Sequence, residues 1–213
     1  MPIQPSPRDV RVAVSVSAIV ALACSSASAG LLSLSNQSVW SYYLSTGGLV
    51  GETENFSSFA NGSYPGPLSG ATASVAWSAS SEGGLSVNAG VLSTGNAGTL
   101  SFAFAPGIRA VAGNFFGTDA GASSVTVLFT VTLSDGSGYS GIAENSSSFA
   151  GFYSSTSATI ASLALSVTNV AGGSAVYPSV DNLYFGVAPV PIPSPGSVAL
   201  LASASLIASR RRR

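Results

Sequence analysis

Eight acidic and seven basic side chains are all the charge this 213-residue sequence carries, and their placement limits its chemistry. Six of the bases sit at the two ends, Arg8 and Arg11, then Arg210, Arg211, Arg212 and Arg213. Between 30 and 187 one base, Arg109, stands against seven acids: Glu52, Glu54, Glu82, Asp119, Asp135, Glu144 and Asp181. The chain has no histidine and no lysine, and its one cysteine is Cys24. Ser-His-Asp and Cys-His catalysis, zinc sites of imidazole or thiolate, and lysine Schiff bases each need a residue type that 30–187 does not contain. Carboxylates alone leave two chemistries open. Glu52 and Glu54 could hydrolyse a glycoside if held about 5–9.5 Å apart, but positions two apart in a strand or loop do not by themselves set that geometry. Asp119, Asp135 and Asp181, with Glu144, supply hard oxygen ligands of the kind Ca²⁺ takes. None falls in a D-x-D-x-D spacing, so a Ca²⁺ site requires distant loops to converge; the other reading is acids that solvate turns and strand ends. Asp181-Asn182, just before an apolar run, can cap local backbone amides. No cofactor is expected, with Ca²⁺ as the one candidate.

Sugar recognition asks less of the residue set. Exposed aromatic rings give flat apolar platforms, and Asp and Asn give hydrogen bonds. Trp40, Tyr42, Tyr43, Tyr64, Tyr139, Tyr153 and Tyr177 are candidate platforms, with core or edge packing as the alternative for each. Nucleic acid is not an expected partner, because phosphate neutralisation by Lys and Arg dominates that affinity and the region 30–187 is acidic. An anionic membrane surface is not an expected partner of this region, on the same ground. Four Asn-x-Ser sequons begin at Asn36, Asn55, Asn61 and Asn145, a pattern that arises readily in a chain rich in Ser and Asn.

These residues need a scaffold, and the sequence favours strands. Val125, Val127, Phe129, Val131 and Leu133 alternate with Thr126, Leu128, Thr130 and Thr132, the period of two of a strand with one face on a core. Ser134-Asp135-Gly136-Ser137-Gly138 is a compact turn after which 139–143 can return antiparallel. Further strands are predicted over 74–79, 85–87, 100–105, 109–116, 149–154, 160–168 and 183–187. Short β runs between Gly, Ser and Asn clusters, with no helical periodicity of comparable length, predict an all-β, antiparallel β-sandwich. Without cysteine, 30–187 forms no disulfide, so the core alone must hold it.

The ends read as addresses. In 1–29, Arg8 and Arg11 lead into an apolar stretch, and Ala27-Ser28-Ala29 is an A-x-A cleavage site before Gly30. A lipidated Cys24 is the rival reading, although Ala21 stands three residues before it. Pro189, Pro191, Pro193 and Pro195 alternate through 188–196 and favour an extended linker. In 197–213 an uncharged apolar run precedes four arginines; 13 helical residues rise only about 20 Å against a hydrocarbon core of about 30 Å. The arginines are a positive-inside stop signal.

This arrangement over 190–213 resembles the PEP-CTERM sorting signal of Gram-negative bacteria: a Pro-x-Pro motif, a short hydrophobic helix and a basic end. Here Ile192 stands where glutamate is usual. The resemblance implies recognition of Pro191, Pro193 and Arg210, Arg211, Arg212 and Arg213 by an exosortase-like enzyme in the inner membrane, and a setting in exopolysaccharide or biofilm. A second resemblance covers 99–186, in Leu100–Phe104, 108–115, 125–136, 148–152 and Val180-Asp181-Asn182-Leu183-Tyr184-Phe185-Gly186, which looks like the jelly-roll ectodomains carried by such proteins. It implies an exported, non-catalytic module. The expected organisation is a signal peptide over 1–29, one extracytoplasmic jelly-roll-like domain over 30–187, a linker over 188–196 and a sorting or transmembrane segment over 197–213. The expected function is that of an exported, exosortase-sorted, non-enzymatic protein of the cell surface or extracellular matrix; the alternative is a calcium-stabilised, lectin-like carbohydrate-binding module.

Overall fold

The computed structural model describes residues 30–156 and 158–189. The cleavage-site residues Ala27 and Ala29, Cys24, and the sorting residues Pro191, Pro193 and Arg210–Arg213 lie outside them. The chain forms β1 (Leu31–Leu34), α1 (Gln37–Thr46), β2 (Val50–Glu54), β3 (Gly62–Tyr64), β4 (Leu68–Ala71), β5 (Ala76–Ser80), β6 (Leu85–Asn88), β7 (Val91–Thr94) and β8 (Leu100–Phe104). It continues through β9 (Ile108–Thr118), β10 (Ser124–Val125), β11 (Val127–Leu133), β12 (Gly138–Ala143), β13 (Phe149–Ser154), β14 (Ser162–Asn169) and β15 (Tyr177–Val187).

All strand pairings are antiparallel, and they make two sheets. One has nine strands, ordered β1-β13-β9-β15-β7-β6-β3, with β10 added to β9 and β2 to β15; the other has six, ordered β12-β11-β14-β8-β5-β4. The later strands pair in nested fashion: β11 with β12, β9 with β13, β8 with β14 and β7 with β15. The inward faces share one apolar core. Phe115 of β9 meets Phe129 of β11 at 6.4 Å between ring centres, and Phe104 of β8 meets Phe185 of β15 edge-on at 5.7 Å. These ring pairs tie the two sheets together.

The period-two run behaves as expected from Val127 onward. Val127, Phe129, Val131 and Leu133 are buried while Leu128 and Thr132 are exposed, and β12 returns against β11 through the Asp135 turn. The run is nonetheless broken at Thr126. Ser124–Val125 pairs with β9 in the larger sheet, whereas β11 belongs to the smaller, so the chain changes sheets inside what reads as one strand.

The first third departs further from expectation. Trp40 and Tyr42 sit on a helix, α1, in a chain whose sequence shows no helical periodicity to match its strand runs. Asn36 starts it: its side-chain oxygen accepts from Ser38 N at 2.9 Å and Val39 N at 3.1 Å, a cap that contributes about 0.5–2 kcal/mol. Trp40 and Leu44, four residues apart, share one face and are buried. They rest on Ala110, Ala112 and Gly186 as a second, smaller core on the outer face of the nine-stranded sheet. A Cβ on Gly186 would come 2.5 Å from Leu44 Cδ2, and one on Gly151 would come 2.5 Å from Trp40 Cδ1. Missing side chains in the sheet thus make the seat for the helix. Among the described residues no helix is long and apolar enough to cross a membrane.

Candidate functional site

Helix α1 covers only part of the outer face of the nine-stranded sheet. Beside β3, β6, β7 and the early half of β15 that face is open and holds a cavity of about 480 Å³, within the range of about 300–1,000 Å³ typical of ligand clefts. Strand register builds its floor. Ser63 of β3 lies opposite Ser86 of β6, Ser86 opposite Ser93 of β7, and Ser93 opposite Ser179 of β15. Four serines therefore cross four strands in one row, with the roughly 4.8 Å spacing of neighbouring strands. Phe116 closes the floor, Tyr177 and Val91 stand beside it, and the β9–β10 loop carrying Asp119 forms one rim.

The buried end of the row is an ordered hydroxyl chain. Ser179 Oγ donates to the Tyr177 carbonyl at 3.1 Å and lies 2.8 Å from Ser93 Oγ and 3.0 Å from Thr118 Oγ1. A serine hydroxyl has one proton and two lone pairs. Either oxygen can donate in each hydroxyl–hydroxyl pair, so this end of the row carries both donor and acceptor capacity. At the open end, Ser63, Ser86 and Asn88 make no side-chain hydrogen bond to another described residue, and Ser63 and Asn88 are exposed. The lining contains one carboxylate, Asp119, and no basic side chain. This surface offers hydrogen bonds of both senses with little fixed charge.

Of the residues singled out from the sequence, Tyr177 and Asp119 line this cavity. Asp119 Oδ1 accepts from Gly121 N and Ser123 N, both at 2.9 Å, so one oxygen fastens its own loop. Asp135 Oδ1 accepts from Ser137 N at 2.9 Å and Ser137 Oγ at 2.6 Å in the β11–β12 turn. The Ser137 hydroxyl, outweighing the opposing effect of burial, holds that carboxyl below the usual range. Glu144 is exposed after β12. Asp181 lies on β15, away from either loop. The three aspartates do not converge, and among the described residues no three His, Cys, Asp or Glu side chains are grouped to hold a metal ion.

Glu52 and Glu54 project toward the β4–β5 hairpin. Burial raises the Glu52 carboxyl, but hydrogen bonds from the Ser74 and Thr72 hydroxyls and the Ser74 amide together hold it below its ordinary value. Glu54 is buried, accepting from Phe56 N at 2.8 Å and from the Trp77 indole at 3.1 Å. Both carboxylates are engaged by protein donors of the hairpin and its surroundings, which is a clamp between sheets. The sequon asparagines are likewise structural: Asn36 caps α1, Asn55 and Asn145 accept from amides two residues on, and Asn61 accepts from Ala89 N at 2.9 Å.

Among the aromatic candidates, Trp40 is buried against Phe149 and Tyr184, Tyr43 packs on Tyr153 and Tyr139 on Phe129 and Phe152. Tyr64 donates its hydroxyl to the Ala60 carbonyl at 2.7 Å. Tyr42 is 63% exposed on α1, remote from the row of serines in the sequence and on the helix-covered half.

Asp181 and Asn182 form a bulge, the register against β9 slipping between Val180 and Leu183. On its other edge β15 pairs with β7 at Ser179 and Val180 and with β2 from Leu183 onward, so the extra residue falls at the handover between two partners. Asn182 Nδ2 donates to Asn114 Oδ1 at 3.4 Å, as does the Tyr184 hydroxyl at 3.1 Å. Asp181 has no side-chain partner among the described residues, and burial raises its carboxyl above the usual range. The folded chain therefore holds this proton more tightly than the unfolded chain. The group's contribution is favourable below about pH 4 and is lost as pH rises through the raised value. Asp181→Asn is expected to raise the Tm at pH 7, with the gain vanishing near about pH 3; a gain of equal size at both pH values in thermal melts would refute this account.

The residues that make the cavity were not evident as site residues in the sequence. Their only signal is a serine between hydrophobic or β-branched neighbours, in Leu85-Ser86-Val87, Leu92-Ser93-Thr94 and Pro178-Ser179-Val180, which marks an outward strand position and nothing more. No protein-family model matches the chain, and neither a curated protein nor a solved structure shows significant similarity to it.

Proposed function

We propose that this chain is an exported, non-enzymatic protein of the cell surface or extracellular matrix of a Gram-negative-type bacterium, sorted by an exosortase-like enzyme and associated with exopolysaccharide. The observation that carries the reading is the open, hydroxyl-lined cavity on the nine-stranded sheet, which offers binding groups and one carboxylate but no pair of free acids. The carboxylate pair Glu52 and Glu54 is spent on the hairpin, which argues against glycoside hydrolysis there. The nested pairing of β7 with β15, β8 with β14, β9 with β13 and β11 with β12 supports the jelly-roll form of the sandwich, an architecture used by lectin domains among others. The tripartite sequence of 190–213 supports sorting, with the inner membrane as a transient partner through 197–213. No bound cation is part of this reading, since Asp119, Asp135 and Asp181 are apart.

Intact-mass spectrometry of the protein from membrane and extracellular fractions of its native host tests the sorting. A species beginning at Gly30 and lacking the residues after about Pro193 is expected outside the inner membrane. A species still ending at Arg213 and confined to the inner membrane would leave a tail-anchored envelope protein instead. Co-sedimentation of the extracellular species with the host's exopolysaccharide tests the association, and its failure at all polymer concentrations would remove the matrix role.

A further inference from the structure

The cavity chemistry narrows what the polysaccharide must be, an inference that rests on the matrix reading above. We infer that the cavity binds a segment of an uncharged glycan through direct hydroxyl and amide hydrogen bonds, without a bridging metal ion. An anionic polymer would be held by basic side chains or by a divalent cation. Neither is at hand: the one base of the described residues, Arg109, is not in the lining and gives its Nη2 to the Ser154 carbonyl at 3.4 Å, and no metal-holding cluster exists among the described residues. A cationic polymer would call for several acids, and the lining has only Asp119, one of whose oxygens is taken by two loop amides.

Hydroxyl groups suit the observed pattern because each both donates and accepts. At the deep end the half-buried Ser93, hydrogen-bonded to Ser179, can turn either a lone pair or its proton toward a ligand. At the shallow end Ser86, Ser63 and Asn88 are free to do either. A sugar ring carrying several hydroxyls meets both demands, and the half-buried Tyr177 and Val91 in the lining can take its C–H face. The row crosses four strands and is open at Ser63, which accommodates a chain rather than a single sugar.

The test uses the full-length chain in a polyoxyethylene detergent, since glycoside detergents would compete. Titration calorimetry against cellohexaose, maltohexaose and mannohexaose, with hexaguluronate as the anionic probe, is compared for the parent, Ser86→Leu, Asn88→Ala and the remote control Tyr42→Ala. Ser86 is half-buried and Asn88 exposed on the outer face, so neither change enters the core, and circular dichroism checks folding. At least one neutral hexaose is expected to bind, with affinity unaffected by EDTA and nearly flat in salt. That affinity should fall about tenfold or more in Ser86→Leu and Asn88→Ala and hold in Tyr42→Ala. Neutral binding unchanged in both folded cavity variants overturns the site while the matrix reading stands. Binding of hexaguluronate alone, or binding abolished by EDTA, overturns the uncharged, metal-free recognition. If no probe binds, the inference fails; co-sedimentation of the parent with host exopolysaccharide then decides separately whether the matrix reading fails too.

Discussion

Replacement of Trp77 by alanine is expected to destabilise the folded chain by about 4–6 kcal/mol, the sum of a large-to-small core loss of about 3–5 and an orphaned buried acceptor of about 1–3 kcal/mol, discounted for relaxation. Trp77 is 3% exposed and is met edge-on by Phe56 at 5.4 Å, Phe59 at 5.8 Å and Phe102 at 6.3 Å. Its ring also lies over Gly70 of the neighbouring strand, where a Cβ would come 2.5 Å from Trp77 Cζ2. The indole N–H is one of two donors to the buried Glu54 carboxylate. A domain of this size has about 5–15 kcal/mol in all, and each kcal/mol moves the Tm by about 2–4 °C, so the midpoint should fall by roughly 10–20 °C. Trp77→Phe keeps an aromatic ring and loses the donor, and should cost about 1–3 kcal/mol. Denaturant unfolding that finds Trp77→Ala within about 1 kcal/mol of the parent would mean that the clamp between β2 and the β4–β5 hairpin does not hold the sheets together.

Two adjacent positions on β15 should separate the two faces of its sheet. Phe185 is fully buried and meets Phe104 of the opposite sheet edge-on at 5.7 Å, and Phe185→Ala is expected to cost about 3–5 kcal/mol. Tyr184 points outward, its ring beside Trp40 and Phe149 and its hydroxyl on Asn114. Tyr184→Phe keeps those ring contacts and gives up one hydrogen bond, a loss of about 0.5–1.5 kcal/mol. Equal losses at the two positions in chemical denaturation would mean that the assignment of inward and outward faces on β15 is wrong.

Acid should act on this fold through opposing groups. Glu52 and Asp135 have carboxyls held low by hydrogen bonds, so their contribution is present above about pH 4 and lost as pH falls through the depressed values. Asp181 works in the reverse sense. Its position at the handover from β7 to β2 accounts for the bulge that exposes the carboxylate to a partly desolvated place without a partner.

The strands that sequence reading located are those whose fate is decided locally. In 127–133 the alternation of buried apolar residues with Leu128, Thr130 and Thr132 matches the two sides of a pleated strand, and the Asp135 turn fixes the hairpin that follows. β8, β9 and β13 are legible for the same reason, being apolar runs bounded by Gly, Ser and Asn. Helix α1 was not legible because its apolar face amounts to Trp40 and Leu44, two residues whose partners are glycines and alanines on distant strands. Nor was the break at Thr126, since a change of sheet leaves the side-chain period almost intact.

What the sequence determined by itself is a set of exclusions and an architecture class. The residue types present in 30–187 rule out imidazole, thiolate and lysine chemistry there and disfavour polyanions, and the period-two pattern demands packed sheets. Only the tertiary structure decided where function could sit. Ser63, Ser86, Ser93 and Ser179 are spread over 117 positions of the chain and look alike in sequence to the many other serines. They become a row because antiparallel register places them opposite one another across four strands. They line an open cavity because α1 covers the far half of that sheet and leaves this half bare. Register is a non-local property, set by the joint burial of the core faces and by turn geometry, so no local pattern in the chain could have announced it.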